Sequence, residues 1–224
     1  MNKLIVAIDG FAATGKSTQA KLLAKALNYT YVDTGAMYRA VTLFALEQPP
    51  EGNLDFDLLN RSLDQIQIHF EEGAEEQQTF LNGINVSQAI RDPKINQHVS
   101  KVAAQKEVRS FLSKTQKLLG ANKGVVMDGR DIGTAVFPQA ECKFFLTATP
   151  EVRAMRRYQE QVQAGVDESY EAVLASVKAR DEQDTTRAYA PLKKAEDALE
   201  IEVSNLTIEE VFDLLYAHVS KQLN

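Results

Sequence analysis

The 224 residues are 44% hydrophobic and 25% charged, proportions of an ordinary soluble globular chain that exclude a fibre, a disordered tail or a mini-protein. Twenty-five Lys and Arg against 31 Asp and Glu leave a net charge of −6, the wrong sign for gripping a polyanion, so no nucleic-acid partner is expected. One cysteine, Cys142, and three scattered histidines, His69, His98 and His218, give neither a disulfide nor a metal-ligand spacing and point to a reducing setting.

Leu4 to Ile8 is a short run of mostly branched apolar residues ending in Asp9-Gly10, which predicts a strand buried on both faces. It is too short for a signal-peptide core or a membrane span, and later apolar runs are no longer, so a cytoplasmic protein with no membrane partner is expected. Gly10-Phe11-Ala12-Ala13-Thr14-Gly15-Lys16-Ser17 fits GxxxxGK[ST] between that strand and a helix containing Leu22, Leu23, Ala26 and Leu27. Such a loop turns backbone N–H groups inward as an anion cradle, and Lys16 reaches the outer phosphates of a nucleotide. Ser17 offers a hydroxyl to Mg²⁺, and Thr18 can add another to a phosphate. The bland alternative is a glycine turn between strand and helix.

Tyr31-Val32-Asp33-Thr34-Gly35-Ala36-Met37-Tyr38-Arg39 places a strand end, a hydroxyl and an arginine at the start of a helix whose apolar side is Met37, Ala40, Val41 and Phe44. Alone, it reads equally as a Thr cap with a solvated arginine. Pro49-Pro50-Glu51-Gly52-Asn53 reads as a linker. Beyond it Ile66, Ile68 and Phe70 alternate with polar residues, Glu71-Glu72-Gly73-Ala74-Glu75-Glu76 forms an acidic loop, and Asn82-Gly83 predicts a hairpin turn between Thr79-Phe80-Leu81 and Ile84-Asn85-Val86. Residues from about 49 to 93 therefore read as an inserted subdomain.

Val108, Phe111, Leu112, Thr115, Leu118 and Leu119 mark a helix stopped by Gly120. Val125-Val126-Met127 is the next buried run, and Asp128-Gly129-Arg130-Asp131 follows at the strand's carboxyl end, where open α/β sheets bind ligands. A charged glycine turn is the alternative. After a strand at Phe144-Phe145-Leu146, Thr149-Pro150 opens a helix carrying Arg153, Arg156 and Arg157 on one face, with Glu160 a turn beyond. A helix marked by Tyr170, Val173, Leu174 and Val177 leads to Arg180, Asp184 and Arg187 at i, i+4, i+7. Both arginine groups are either salt-bridged solvent faces or phosphate ligands. Ile201-Glu202-Val203 is a fifth strand, and Thr207 with Glu210 forms a capping box for the last helix, Leu206 and Val211 occupying the staple positions. Strands alternating with helices predict an α/β fold: a parallel five-stranded core sheet with helices on both faces.

Two phosphate-bearing ligands, one on the loop and one facing the arginines, are the requirement of a nucleotide kinase. The sequence resembles the bacterial cytidylate kinases, within the P-loop nucleoside monophosphate kinases, through the glycine loop, Asp33 to Arg39, Asp128 to Asp131 with Gly133-Thr134, and Arg180-Asp181 through Arg187-Ala188. The resemblance covers essentially the whole chain. It implies a core at about 1–48, 94–148 and 191–224, a monophosphate-binding subdomain at about 49–93 and a mobile helical lid at about 149–190.

The implied activity is ATP-dependent phosphorylation of CMP and dCMP with Mg²⁺, by a monomer. The resemblance assigns Gly10, Phe11, Ala12, Ala13, Thr14, Gly15, Lys16, Ser17 and Thr18 to ATP. It assigns Ser100, Arg109 and Asp131 to cytosine, Asp184 to ribose, and Arg39, Arg130 and Arg187 to the CMP phosphate, with Thr34 and Arg180 also on the acceptor side. Lys16, Arg130, Arg153 and Arg157 are the expected catalytic cations, and Ser17 the expected magnesium ligand. Phe11 and Ala13 depart from the proline and glycine common in the family's loop, which affects loop stiffness and leaves phosphate binding intact. UMP or AMP kinases differ only in the acceptor pocket. A GTP-dependent switch should carry Asn-Lys-x-Asp, and Asn122-Lys123-Gly124-Val125 lacks the aspartate.

Overall fold

The computed structural model describes residues 3–48, 52–73 and 76–223. In chain order the elements are β1 (Ile5–Gly10), α1 (Lys16–Leu27), β2 (Thr30–Asp33), α2 (Thr34–Glu47), α3 (Phe56–Arg61), β3 (Ile68–Glu72), β4 (Gln77–Leu81), β5 (Ile84–Asn85), α4 (Pro93–Ala103), α5 (Lys106–Leu119), β6 (Val125–Gly129), β7 (Cys142–Thr147), α6 (Pro150–Gln163), α7 (Tyr170–Thr186), β8 (Leu199–Glu202) and α8 (Ile208–Leu223). The chain divides into two compact units, one of Met1–Val32 with Leu119–Asn224 and the other of Asp33–Leu118.

The larger unit holds a five-stranded sheet in the order β2-β6-β1-β7-β8, with β1 parallel to β6 and β7, and β7 parallel to β8. The order reverses direction around β1, which places the carboxyl ends of β1 and β6 at a topological switch point. Every residue of β6 is buried, so both faces are covered and a continuous apolar run is the pattern required. Ala20, Leu23 and Ala24 of α1 and Val211, Leu215 and Val219 of α8 pack with Val6, Ile8, Val126, Phe144 and Leu146 into one core. Cys142 lies in that core, and burial pushes its thiol up to about 11, the behaviour of a packed apolar group.

The capping box forms as expected. Thr207 N donates to Glu210 Oε2 at 2.8 Å, and Glu210 N donates to Thr207 Oγ1 at 3.2 Å. Thr149 Oγ1 likewise accepts from Val152 N at 3.3 Å and caps α6. Gly120 follows its helix for a different reason from the expected one: it carries no left-handed φ, and a Cβ there would stand 2.4 Å from the Phe137 ring.

In the smaller unit, Asp33 rather than Thr34 caps α2, its Oδ1 accepting from Ala36 N at 2.8 Å. Met37, Ala40, Val41 and Phe44 are buried on that helix. The antiparallel sheet β3-β4-β5 is present, and Asn82 and Gly83, at φ 49° and 79°, make the turn that their sequence favours. The buried face of α5 is Val108, Arg109, Leu112 and Gln116; Leu118 and Leu119 are exposed, contrary to the periodic reading. Pro49, Pro50 and Glu51 of the expected linker, and Ala74 and Glu75 of the acidic loop, lie outside the described residues. Among the described residues no helix is long and apolar enough to cross a membrane.

Candidate active site

In the larger unit the glycine loop leaves β1 at a position only glycine can hold. A Cβ on Gly10 would stand 2.0 Å from the carbonyl oxygen of Leu146 on the neighbouring strand, and its φ is +145°. Gly15, at φ +83°, meets no atom within 4 Å of a notional Cβ and starts α1 without a side-chain cap. The first-turn amides of α1 thus lack a side-chain acceptor, the arrangement that favours an anion. Ala13 holds φ +58°, a left-handed conformation that costs a non-glycine residue about 1 kcal/mol.

Lys16 is buried with its Nζ 2.6 Å from the Phe11 carbonyl oxygen and 3.4 Å from Thr14 Oγ1. Burial and then the Arg130 charge push its ammonium down to about 7. A cation held so reluctantly gains more than an exposed one from a phosphate placed beside it. Ser17 Oγ donates to Asp128 Oδ2 at 2.8 Å, and Tyr31 OH donates to Asp128 Oδ1 at 2.9 Å. A hydroxyl and a carboxylate next to a phosphate cradle are hard oxygen donors, and they suit Mg²⁺, which keeps most of its water and takes few protein ligands. Among the described residues no group of three or more His, Cys, Asp or Glu forms a metal cage.

The β6 turn supplies the second half of this unit's site. Arg130 Nε donates to Asp184 Oδ2 at 2.9 Å, Arg187 Nη1 lies 3.6 Å from Asp184 Oδ1, and Arg187 Nη2 lies 3.7 Å from Asp131 Oδ1. Burial pushes the Asp184 carboxyl up, but Arg130, Arg180 and Arg187 together outweigh it and hold the group below the usual carboxylate range. Arg187 is the residue after α7 and not its last turn, with φ −59° and ψ 141°, so helical persistence does not align it. It returns to the cluster because its Nε donates to Ala190 O at 2.7 Å in the following bend.

Three arginines that share a helix face in sequence have separate fates. Arg153 is bound to Asp181 of α7, Arg156 Nη2 donates to Val203 O at 2.9 Å, and Arg157 is half-buried. Asp181, not Glu160, pairs with Arg153. In the smaller unit Arg39 Nη2 bonds Asp33 Oδ2 at 3.1 Å, and Gly35 leaves room for that pair, since a Cβ would meet both side chains at 3.0 and 3.1 Å. Arg39 Nε is buried without a hydrogen-bond acceptor among the described residues. Arg109 is buried, donates to Ala103 O at 2.9 Å and lies 5.2 Å over the Tyr38 ring. Thr34 is buried and Ser100 half-buried.

Asp9 is the residue sequence reading missed. Its two oxygens accept from Ile132 N at 2.8 Å and Gly133 N at 2.7 Å, holding the π-helical turn Ile132–Val136 that follows Arg130 and Asp131. The only signal was a carboxylate ending a buried strand. Burial pushes Asp9 up to about 7 against the two amide donors. Since the native state then binds a proton that the unfolded chain releases near 4, Asp9 should cost stability as pH rises from about 4 to 7, at most about 4 kcal/mol. Urea unfolding at pH 5, 6 and 7 should show wild type losing stability relative to Asp9→Asn; parallel curves would place the titration elsewhere.

A family model described as cytidylate kinase matches residues 6–221. The chain is 47% identical to a cytidylate kinase of Fusobacterium nucleatum, over 99% of each sequence. It is 51% identical to one of Flavobacterium johnsoniae, over 95% of this chain and 94% of that one. Among solved structures, shikimate kinase from Bacteroides thetaiotaomicron aligns at a TM-score of 0.50 with 12% identity over 99% of each chain, a likeness of fold alone. Near-full-length identity at this level, on a sheet with a phosphate loop at its switch point, means that the chain belongs to the cytidylate kinase family.

Proposed function

We propose that the protein phosphorylates CMP and dCMP with ATP, giving CDP or dCDP and ADP. The observation that carries this reading is that one unit holds both the phosphate loop, with Lys16, and the Arg130, Arg180 and Arg187 cluster, whose first two arginines are close enough to depress Lys16. ATP takes the loop from Gly10 to Thr18. Arg130 and Arg187, with Arg180 beside them, take the acceptor phosphate, Asp184 the ribose and Asp131 the cytosine amine. Thr34, Arg39, Ser100 and Arg109 are the smaller unit's acceptor residues by family resemblance.

An oxygen of the CMP phosphate attacks the γ-phosphorus of ATP, the bond to the β-phosphate oxygen breaks, and ADP leaves. The acceptor phosphate has a second pKa of about 6 and is mostly a dianion at neutral pH, so no protein base is needed. What remains is positioning and charge. Lys16 and Arg130 neutralise charge that spreads over the transferring group, and a closed lid, residues 149–190, excludes water that would hydrolyse ATP. Mg²⁺ held through Ser17, with Asp128 beside it, would screen the triphosphate charge. Cytosine is distinguished from uracil because the buried Asp131 accepts from the N4 amine and would face a carbonyl in uracil.

Product analysis with CMP, dCMP, UMP, AMP and shikimate as acceptors tests the assignment. CDP and dCDP are the expected products, with UMP and AMP poorer acceptors; phosphorylation of AMP or UMP in preference to CMP would overturn it.

A further inference from the structure

Arg153 lies in the first turn of α6 and is only 2% exposed. Its Nε donates to Ala148 O at 2.9 Å, and Nη1 and Nη2 donate to the two oxygens of Asp181 on α7 at 2.9 and 2.5 Å. The guanidinium carbon lies 4.9 Å from the centroid of the Phe11 ring, which itself meets Phe145 edge-on at 6.0 Å. Three of the five N–H groups and a face of the plane are therefore taken by the protein. A cavity of about 530 Å³, lined in part by Phe11, Arg153, Asp181 and Glu182, opens beside this junction.

The grip is placed to act on the acceptor residues. Asp181 follows Arg180 by one residue, about 100° around α7, and precedes Asp184 by three. Fixing Asp181 therefore sets the rotation and axial position of the turn that presents Arg180 and Asp184 to Arg130. The fork geometry of a bidentate pair specifies that register, whereas a single contact would let the helix roll. Phe11, at the second position of the glycine loop, joins the same guanidinium to the ATP side.

We propose that Arg153 is a positioning residue, one that joins α6, α7 and the phosphate loop through Asp181 and Phe11, and that it does not contact the transferred phosphate. This rests on the kinase reading above and replaces the direct catalytic role that the family resemblance led us to expect for it.

The test is a double-mutant cycle on kcat and KM for ATP and CMP, using Arg153→Lys, Asp181→Asn and both together, well below each melting temperature. Positioning through the pair predicts that each single variant raises KM for CMP, with a loss in kcat/KM on the order of tenfold to a hundredfold, and that the double variant loses no more than the worse single one. Asp181→Asn is nearly isosteric and decides the matter even if the lysine variant folds poorly. A direct phosphate contact predicts instead that Arg153→Lys lowers kcat while Asp181→Asn keeps wild-type kcat/KM, and that result would overturn the proposal. Wild-type turnover of CMP is measured alongside: no CDP from wild type refutes the kinase reading, whereas CDP from wild type with an unimpaired Asp181→Asn refutes only the positioning role.

Discussion

Lys16→Ala should lose phosphoryl transfer while the fold persists. The lysine belongs to the loop's own hydrogen bonding: its Nζ reaches the Phe11 carbonyl and Thr14 Oγ1, and its side chain is not part of the apolar core beneath α1. Truncation removes two hydrogen bonds, worth about 1 kcal/mol each, and also removes a buried ammonium whose charged form burial disfavours. These two effects oppose each other, so melting should move little. Catalysis has no such compensation. Loss of a preorganised cation beside the transferring group costs on the order of 10² to 10³ in kcat. Steady-state rates with saturating ATP and CMP, beside thermal melts of both proteins, check the expectation. Near wild-type turnover by folded Lys16→Ala would remove the loop from the mechanism.

Local chemistry was the part of this molecule legible in the sequence. The glycine loop, the Asn82-Gly83 turn, the Thr149 cap and the Thr207-Glu210 box each depend on residues a few positions apart, so spacing carries their geometry. Burial on both faces of the sheet was legible for a similar reason, because a strand such as β6 has no polar face to show. The pairings that make the site were not. Ser17 meets Asp128 across 111 residues, Asp9 meets Gly133 across 124, and Arg153 meets Asp181 across 28. No periodicity connects them; the first two follow from the strand order, which places the ends of β1 and β6 side by side, and the third from the packing of α7 on α6. The arginines of α6 show the consequence, since one helical face suggested one shared role and the surrounding elements gave Arg153 and Arg156 different partners.

Asp184 offers the other large expected effect, and its burial changes how the experiment must be run. On an exposed helix face, truncating one aspartate between arginines would cost at most about 1 kcal/mol. Here the carboxylate is 7% exposed and balances Arg130, Arg180 and Arg187, so Asp184→Ala would leave three cations facing a buried gap. The cost of removing one partner from such a cluster is about 3 to 5 kcal/mol, enough to confuse folding with binding. Asp184→Asn keeps the shape and one carbonyl acceptor. The carboxylate has about four lone-pair positions; Arg130 takes one on Oδ2 and Arg187 Nη1 stands 3.6 Å from Oδ1 as an ion pair, leaving room for ribose hydroxyls. Asp184→Asn should therefore reduce kcat/KM for CMP more than for dCMP, which lacks the 2′-hydroxyl, by about tenfold against a smaller loss. Arg187→Ala should impair the two acceptors alike, because both carry the same phosphate. Measuring kcat/KM for both acceptors in both variants separates the roles: equal losses for CMP and dCMP in Asp184→Asn would sink the ribose assignment, even with Arg187 essential.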